Sequence, residues 1–179
     1  MKRITVFIGI AMLLMAVALQ AQAPAPKPGP EYKAFDAWIG DWQYEGTSMA
    51  SPLGPAGKIS GKQTVRWVLN GFFVEFRSEE KGPQGNAESI ELDWYDAATK
   101  SYPYQVYMNN GDMVTATSTV SGNVYTGVGT LTHSGIKYSF RNIGTMAGDG
   151  MSFTWRAEIS PDGKTFQVMS EGKGTKIKK

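Results

Sequence analysis

The chain of 179 residues contains no cysteine and a single histidine. Without thiols it has no disulfide framework, no acylated lipoprotein cysteine, no thiol nucleophile and no thiolate metal site, so a packed core must hold it together. It also lacks a basic body. Of the formal net charge of +2, Lys2 and Arg3 lie in the leader and Lys173, Lys176, Lys178 and Lys179 crowd the C-terminus, which leaves the segment from Pro24 to Gly172 at −4. A nucleic-acid partner needs a cationic face on the body itself, so none is expected. There is no Gly-x-Ser-x-Gly, no phosphate loop and no His-Glu-x-x-His, which leaves nucleophilic, nucleotide and zinc chemistry without a motif. Long apolar runs are missing too, apart from one at the N-terminus.

That run reads as a secretory signal over residues 1–23: Lys2 and Arg3, an apolar stretch from Ile4 to Leu19, then Ala21-Gln22-Ala23 as a small-x-small cleavage site. It falls short of the roughly 20 residues that span a bilayer. A periplasmic or secreted protein with no membrane span after cleavage is expected. Residues 24–30 are rich in proline, which fixes φ and removes donors, and predict an extended linker. The remainder divides into one domain over 31–172 and a lysine-rich tail over 173–179 that reads as a solvated terminus.

Within the domain, turn-forming clusters recur at short intervals, among them Gln84-Gly85-Asn86, Ser121-Gly122-Asn123 and His133-Ser134-Gly135. The runs between them alternate. Phe72, Val74 and Phe76 oppose Glu75, Arg77 and Glu79; Ile90, Leu92 and Trp94 oppose Ser89, Glu91 and Asp93. Strands are predicted near 41–48, 58–69, 72–80, 87–95, 100–109, 112–120, 123–132, 136–143, 151–159 and 164–171. Connections after residue 70 are short enough for hairpins and leave no room for crossover helices, so the strands should form an antiparallel meander. Closing that meander removes its two free edges. The predicted fold is all-β, an antiparallel up-and-down β-barrel of about ten strands with a short N-terminal helix between Pro30 and Ile39. Pro103, inside a strand, predicts a bulge.

The stretch FDAWIGDWQYEG at 35–46 resembles the Gly-x-Trp opening of the calycins, the group that includes lipocalins and nitrobindin-like haem barrels. With VRWVLNGFFVEF and ELDWYD downstream, the chain more closely resembles the bacterial family labelled domain of unknown function 1579. The resemblance implies a barrel base in which Trp42 plugs the closed end and an arginine packs across it, Arg156 being the first candidate and Arg141 the second. Trp38, outside the first strand, is expected to matter less. The resemblance brings no established activity and specifies no cofactor.

Candidate chemistry is sparse. His133 would be the ligand of a haem-binding nitrobindin-like barrel, but it sits at a hairpin tip and reads as a solvated turn residue; nothing selects a ligand among the eight tyrosines either. Glu75, Glu88, Glu91 and Asp93 share a polar phase that could do acid–base work or could simply be a wet exterior with Arg77. Arg141 and Arg156, on one face across a hairpin, require an anion nearby, either Glu158 or a carboxylate-bearing ligand. An enzyme with an Arg/Glu-lined lumen, built on Arg141, Arg156 and Glu75, is the alternative to simple binding.

The apolar phase, Trp67, Leu69, Phe72, Val74, Phe76, Leu92, Trp94, Tyr104, Val106, Met108, Tyr138, Phe140, Phe153 and Trp155, is expected to point inward. Among these, Trp67, Phe76, Trp94, Tyr138, Phe153 and Trp155 are the candidate lining of a lumen for a small hydrophobic molecule. No metal site and no catalytic residue is indicated, and the sequence leaves the oligomeric state open.

Overall fold

Alternation in the sequence becomes ten strands in the structure, a computed structural model that describes residues 26–178. Residues 1–23, expected to form a secretory signal, lie outside the described residues. In chain order the strands are β1 (Gly40–Ser48), β2 (Gly57–Val68), β3 (Phe73–Gly82), β4 (Gly85–Asp93), β5 (Tyr102–Met108), β6 (Met113–Ser121), β7 (Val124–His133), β8 (Ile136–Met146), β9 (Ser152–Ser160) and β10 (Gln167–Lys176). Each pairs antiparallel with its neighbours in sequence, and β1 pairs with β10 to close the barrel. Closure satisfies both edges with backbone hydrogen bonds, from Trp42 opposite Lys176 to Ser48 opposite Ser170.

Tight hairpins set the order. At Ser134-Gly135, between His133 and its partner Ile136, both central residues have positive φ (49° and 80°), the geometry whose twist matches the flanking strands. Pro103 produces no bulge. It faces Thr117 in an unbroken β5–β6 register, and its missing N–H falls where the β4–β5 ladder is ending, while its carbonyl accepts from Trp94 N–H at 3.2 Å. The register shift that does occur lies in β10, between Val168 and Ser170.

The expected N-terminal helix is a 3-10 turn, Pro30–Phe35, after which Trp38 and Trp42 enter the base of the barrel. Residues 173–176 are not a free tail but the last part of β10, where Lys173 pairs with Glu45 at 3.2 Å. The base and the wall form separate hydrophobic clusters. One gathers Phe35, Trp38, Trp42, Val65, Val74, Phe76, Met146 and Phe153; the other runs along β5 to β9 from Tyr104 to Ile159. At the opposite end the β1–β2 loop folds inward, with Leu53 against the wall cluster and its carbonyl accepting from Gln84 Nε2 at 2.8 Å.

Candidate functional site

The barrel encloses a cavity of about 490 Å³, inside the range of small-molecule sites. Its aromatic surface comes from Trp38, Phe76, Phe153 and Trp155, and its far wall from Val106, Leu131 and Phe140. Inward-facing glycines make room for the rings. Trp155 lies over Gly172 and Gly46, and a Cβ on Gly172 would stand 2.3 Å from the Trp155 ring. The alternating glycines of Glu171-Gly172-Lys173-Gly174 therefore mark an inner face.

Of the six aromatic residues singled out in the sequence, Phe76, Phe153 and Trp155 line the cavity. Trp67 belongs to the base, edge-on to Phe35 with ring centroids 6.0 Å apart. Tyr138 is buried in the wall cluster and is not part of the lining. Trp94 is outside, in the same phase as Leu92, and packs against Phe73 at 5.9 Å. Leu69 is likewise not inward: it is 67% exposed in the turn between β2 and β3.

The inversion at β4 is the main correction. Phe76 is opposite Glu91 and Val74 opposite Asp93, while on the other side Glu91 faces Val106 and Asp93 faces Tyr104. Opposed residues share a face, so Glu91 and Asp93 point into the lumen, between the apolar base cluster on β3 and the wall cluster on β5. Burial pushes the Glu91 carboxyl up to about 7, and the same desolvation, with Glu91 beside it, raises Asp93 well above the usual carboxylate range. Asp93 is 6% exposed, and its Oδ1 has no hydrogen-bond partner.

Two other lumen tyrosines are paired. Tyr44 crosses Gly61 to reach Glu80, its hydroxyl donating to Oε2 at 3.3 Å, and burial raises both groups. Tyr104 donates to Asn142 Oδ1 at 3.0 Å above Gly127, where a Cβ would stand 2.1 Å from that oxygen and 2.6 Å from the Tyr104 hydroxyl. Gly127→Ala should therefore break this bond and cost about 1–3 kcal/mol. Adding Asn142→Ala should recover part of the loss in urea unfolding; no recovery would place the clash elsewhere.

The residues expected to carry an anion or do chemistry are on the exterior. Arg141 and Arg156 both bind Glu158, the latter at 3.1 Å, and Arg156 also reaches Glu171 at 3.6 Å. Glu75 pairs with Arg77 at 3.1 Å on the same outer surface. An Arg/Glu-lined lumen is thereby excluded, and Glu158 supplies the anion that the two arginines need. Arg156 is not the partner of Trp42 either. Lys176 takes that place, its Nζ 5.0 Å from the Trp42 ring and donating to Ala37 O at 3.1 Å.

His133 is not free at its hairpin tip. Its Nδ1 bonds Asp112 Oδ2 at 2.7 Å across the rim, and no histidine is in the lining of the cavity. A histidine-held haem does not fit this donor set. Among the described residues no cluster of three or more His, Cys, Asp or Glu is arranged to hold a metal ion, and no helix is long and apolar enough to cross a membrane.

No curated protein matches the chain. Among solved structures, the crystal structure of Rv2717c from M. tuberculosis is similar, with a TM-score of 0.63 at 11% identity over 84% of this chain and 99% of that one. A protein with unknown function from the DUF3598 family of Nostoc punctiforme PCC 73102 matches at a TM-score of 0.24 and 8% identity, over 84% of this chain and 100% of that one. The first likeness is one of fold alone, and the second carries no argument. The model of the protein family of unknown function DUF1579 matches residues 27–172, nearly the whole described barrel, and the chain belongs to that family.

Proposed function

We infer that this is an exported barrel that binds a small, largely apolar molecule in its lumen. The observation that carries the reading is the luminal cavity of about 490 Å³, open at its mouth and walled by Trp38, Phe76, Phe153 and Trp155. Glycines at Gly46, Gly172 and Gly174 let the Trp155 and Phe153 rings lie against the wall. Aromatic and aliphatic walls with a few fixed polar groups are the usual composition of a ligand pocket. Export rests on the Lys2-Arg3 start, the apolar stretch and Ala21-Gln22-Ala23.

Incubation with a mixed lipid and metabolite extract, followed by native mass spectrometry, tests the binding. A reproducible adduct of a few hundred daltons is expected; its consistent absence would overturn the reading. Export is tested separately, by locating the protein in fractionated cells and sequencing its mature N-terminus, which should follow Ala23. Retention of an uncut leader on a cytoplasmic protein would remove the export half alone.

A further inference from the structure

The lumen contains carboxyl groups along its length and no opposing cation. Asp112 lies near the mouth, Glu80 further in on β3, and Glu91 and Asp93 on β4, Asp93 at that strand's inner end; no Lys, Arg or His is among the described lining residues. Two of these acids have partners, since His133 holds Asp112 and Tyr44 holds Glu80. Asp93 differs. Its carboxyl interacts with Glu91 among the cavity-lining residues, and its Oδ1 is buried with no hydrogen-bond partner of its own among the described groups. An unpaired carboxylate oxygen in an apolar setting is costly, so its persistence beside an aromatic cavity points to a donor delivered by the ligand.

We propose that the lumen takes a lipophilic amine, its cationic nitrogen donating to Asp93 and Glu91 and its hydrocarbon part packed against Phe76, Phe153 and Trp155. The proposal rests on the lumen being a binding site and adds the chemical class of the ligand. Strand register supplies the geometry: Glu91 and Asp93 are successive inward residues of β4, flanked in their rows by Phe76 and Val106 and by Val74 and Tyr104. The polar end and the apolar walls are thus adjacent. An ammonium group has donors for both carboxyls, whereas a ligand carboxylate would meet like charge with no cation to offset it. A bare metal ion is disfavoured, because the acids do not gather three around one point.

The carboxyl pair also sets a signature of binding. With burial raising both groups, the pair retains a proton near neutral pH. A bound ammonium stabilises the ionised carboxyls, so that proton leaves to the buffer as the complex forms.

Titration calorimetry with decylamine, decanol and decanoate, below their micelle concentrations and in two buffers of different ionisation enthalpy at pH 7, tests this. Decylamine is expected to bind about tenfold more tightly than decanol, with decanoate weakest, and only decylamine should release protons. In Asp93→Asn, decylamine affinity should fall by about tenfold and decanol affinity stay within about twofold. Equal affinities, or amine binding without proton release, would overturn the amine assignment and leave the binding lumen standing. Failure of all three probes, confirmed by the absence of any adduct from extract, would overturn both. If Asp93→Asn does not fold, the ranking of head groups and the proton release in the unaltered protein decide the matter.

Discussion

Trp42→Ala is expected to lower stability by about 3–5 kcal/mol, among the largest losses a single core truncation produces. Three features of its position add up to that loss. The side chain is fully buried, at 0% exposure, and packs edge-on to Phe153 with centroids 5.2 Å apart. Its Nε1–H donates to Trp38 O at 2.7 Å, so truncation also strands a buried carbonyl at the turn into β1. Lys176, whose ammonium stands over the ring and holds Ala37 O, loses one of its two anchors. For a domain of this size the melting midpoint should drop by about 6–20 °C. Trp38→Ala should cost a comparable amount, contrary to the expectation from its place outside β1, because Trp38 touches Phe76, Tyr125 and Phe153 as well as Trp42. The two differ in function. Trp38 lines the cavity and Trp42 does not, so Trp38→Ala should also change ligand affinity, while folded Trp42→Ala should bind as the unaltered protein does. An unchanged midpoint for Trp42→Ala would defeat the assignment of Trp42 as the plug of the base.

The ten strands were legible because alternation and turn chemistry are local. The run Ile136, Tyr138, Phe140 against Lys137, Ser139, Arg141 follows the barrel in both period and phase. Period alone does not say which face is inside. In β4 the apolar phase, Ile90, Leu92 and Trp94, is the outer one. The information was in the turn. With the hairpin at Pro83-Gln84, Phe76 pairs with Glu91; centring it on Gly85 pairs Phe76 with Trp94, an odd slip that moves every side chain of the strand to the other face. Taking the apolar phase of β4 as the inner one, rather than the phase that this hairpin register sets, concealed the buried carboxyl pair. The base partner of Trp42 was hidden for a different reason: Lys176 lies in a lysine-rich end that resembles a frayed terminus, and only the closure of β10 onto β1 brings it to the ring. Glycines gave a further clue. Gly127, Gly172 and Gly174 sit in strands where they weaken local propensity, and each does so to let a cross-strand side chain lie flat against the wall.

Asp93→Asn should stabilise the ligand-free barrel at pH 8. The sign follows from where the protons sit. In the unfolded chain Asp93 and Glu91 ionise close to their ordinary values of 3.8 and 4.5, whereas in the barrel Glu91 ionises at about 7 and Asp93 is also held well above its ordinary value. Between those limits the unfolded chain has released protons that the folded protein keeps. Stability contributed by the protonated pair is thus complete below about pH 4 and is lost as the pH rises toward and through 7. Asparagine does not ionise, so the variant escapes the Asp93 share of that loss, and its amide can donate to Glu91. Asp162 works in the opposite direction: backbone hydrogen bonds from Thr165 and Lys164 hold it down to about 2, so its contribution disappears only as the pH falls through that value. The difference between variant and unaltered protein, measured by urea unfolding from pH 4 to pH 8, isolates the lumen pair from such groups. It should be near zero at pH 4 and grow as the pH rises to 8. A variant that is less stable at every pH would make Asp93 a structural residue of the barrel and remove the case that its unpaired oxygen is reserved for a ligand. A variant that is more stable at pH 8 and no longer prefers decylamine would show a group retained at a cost to the fold because binding requires it.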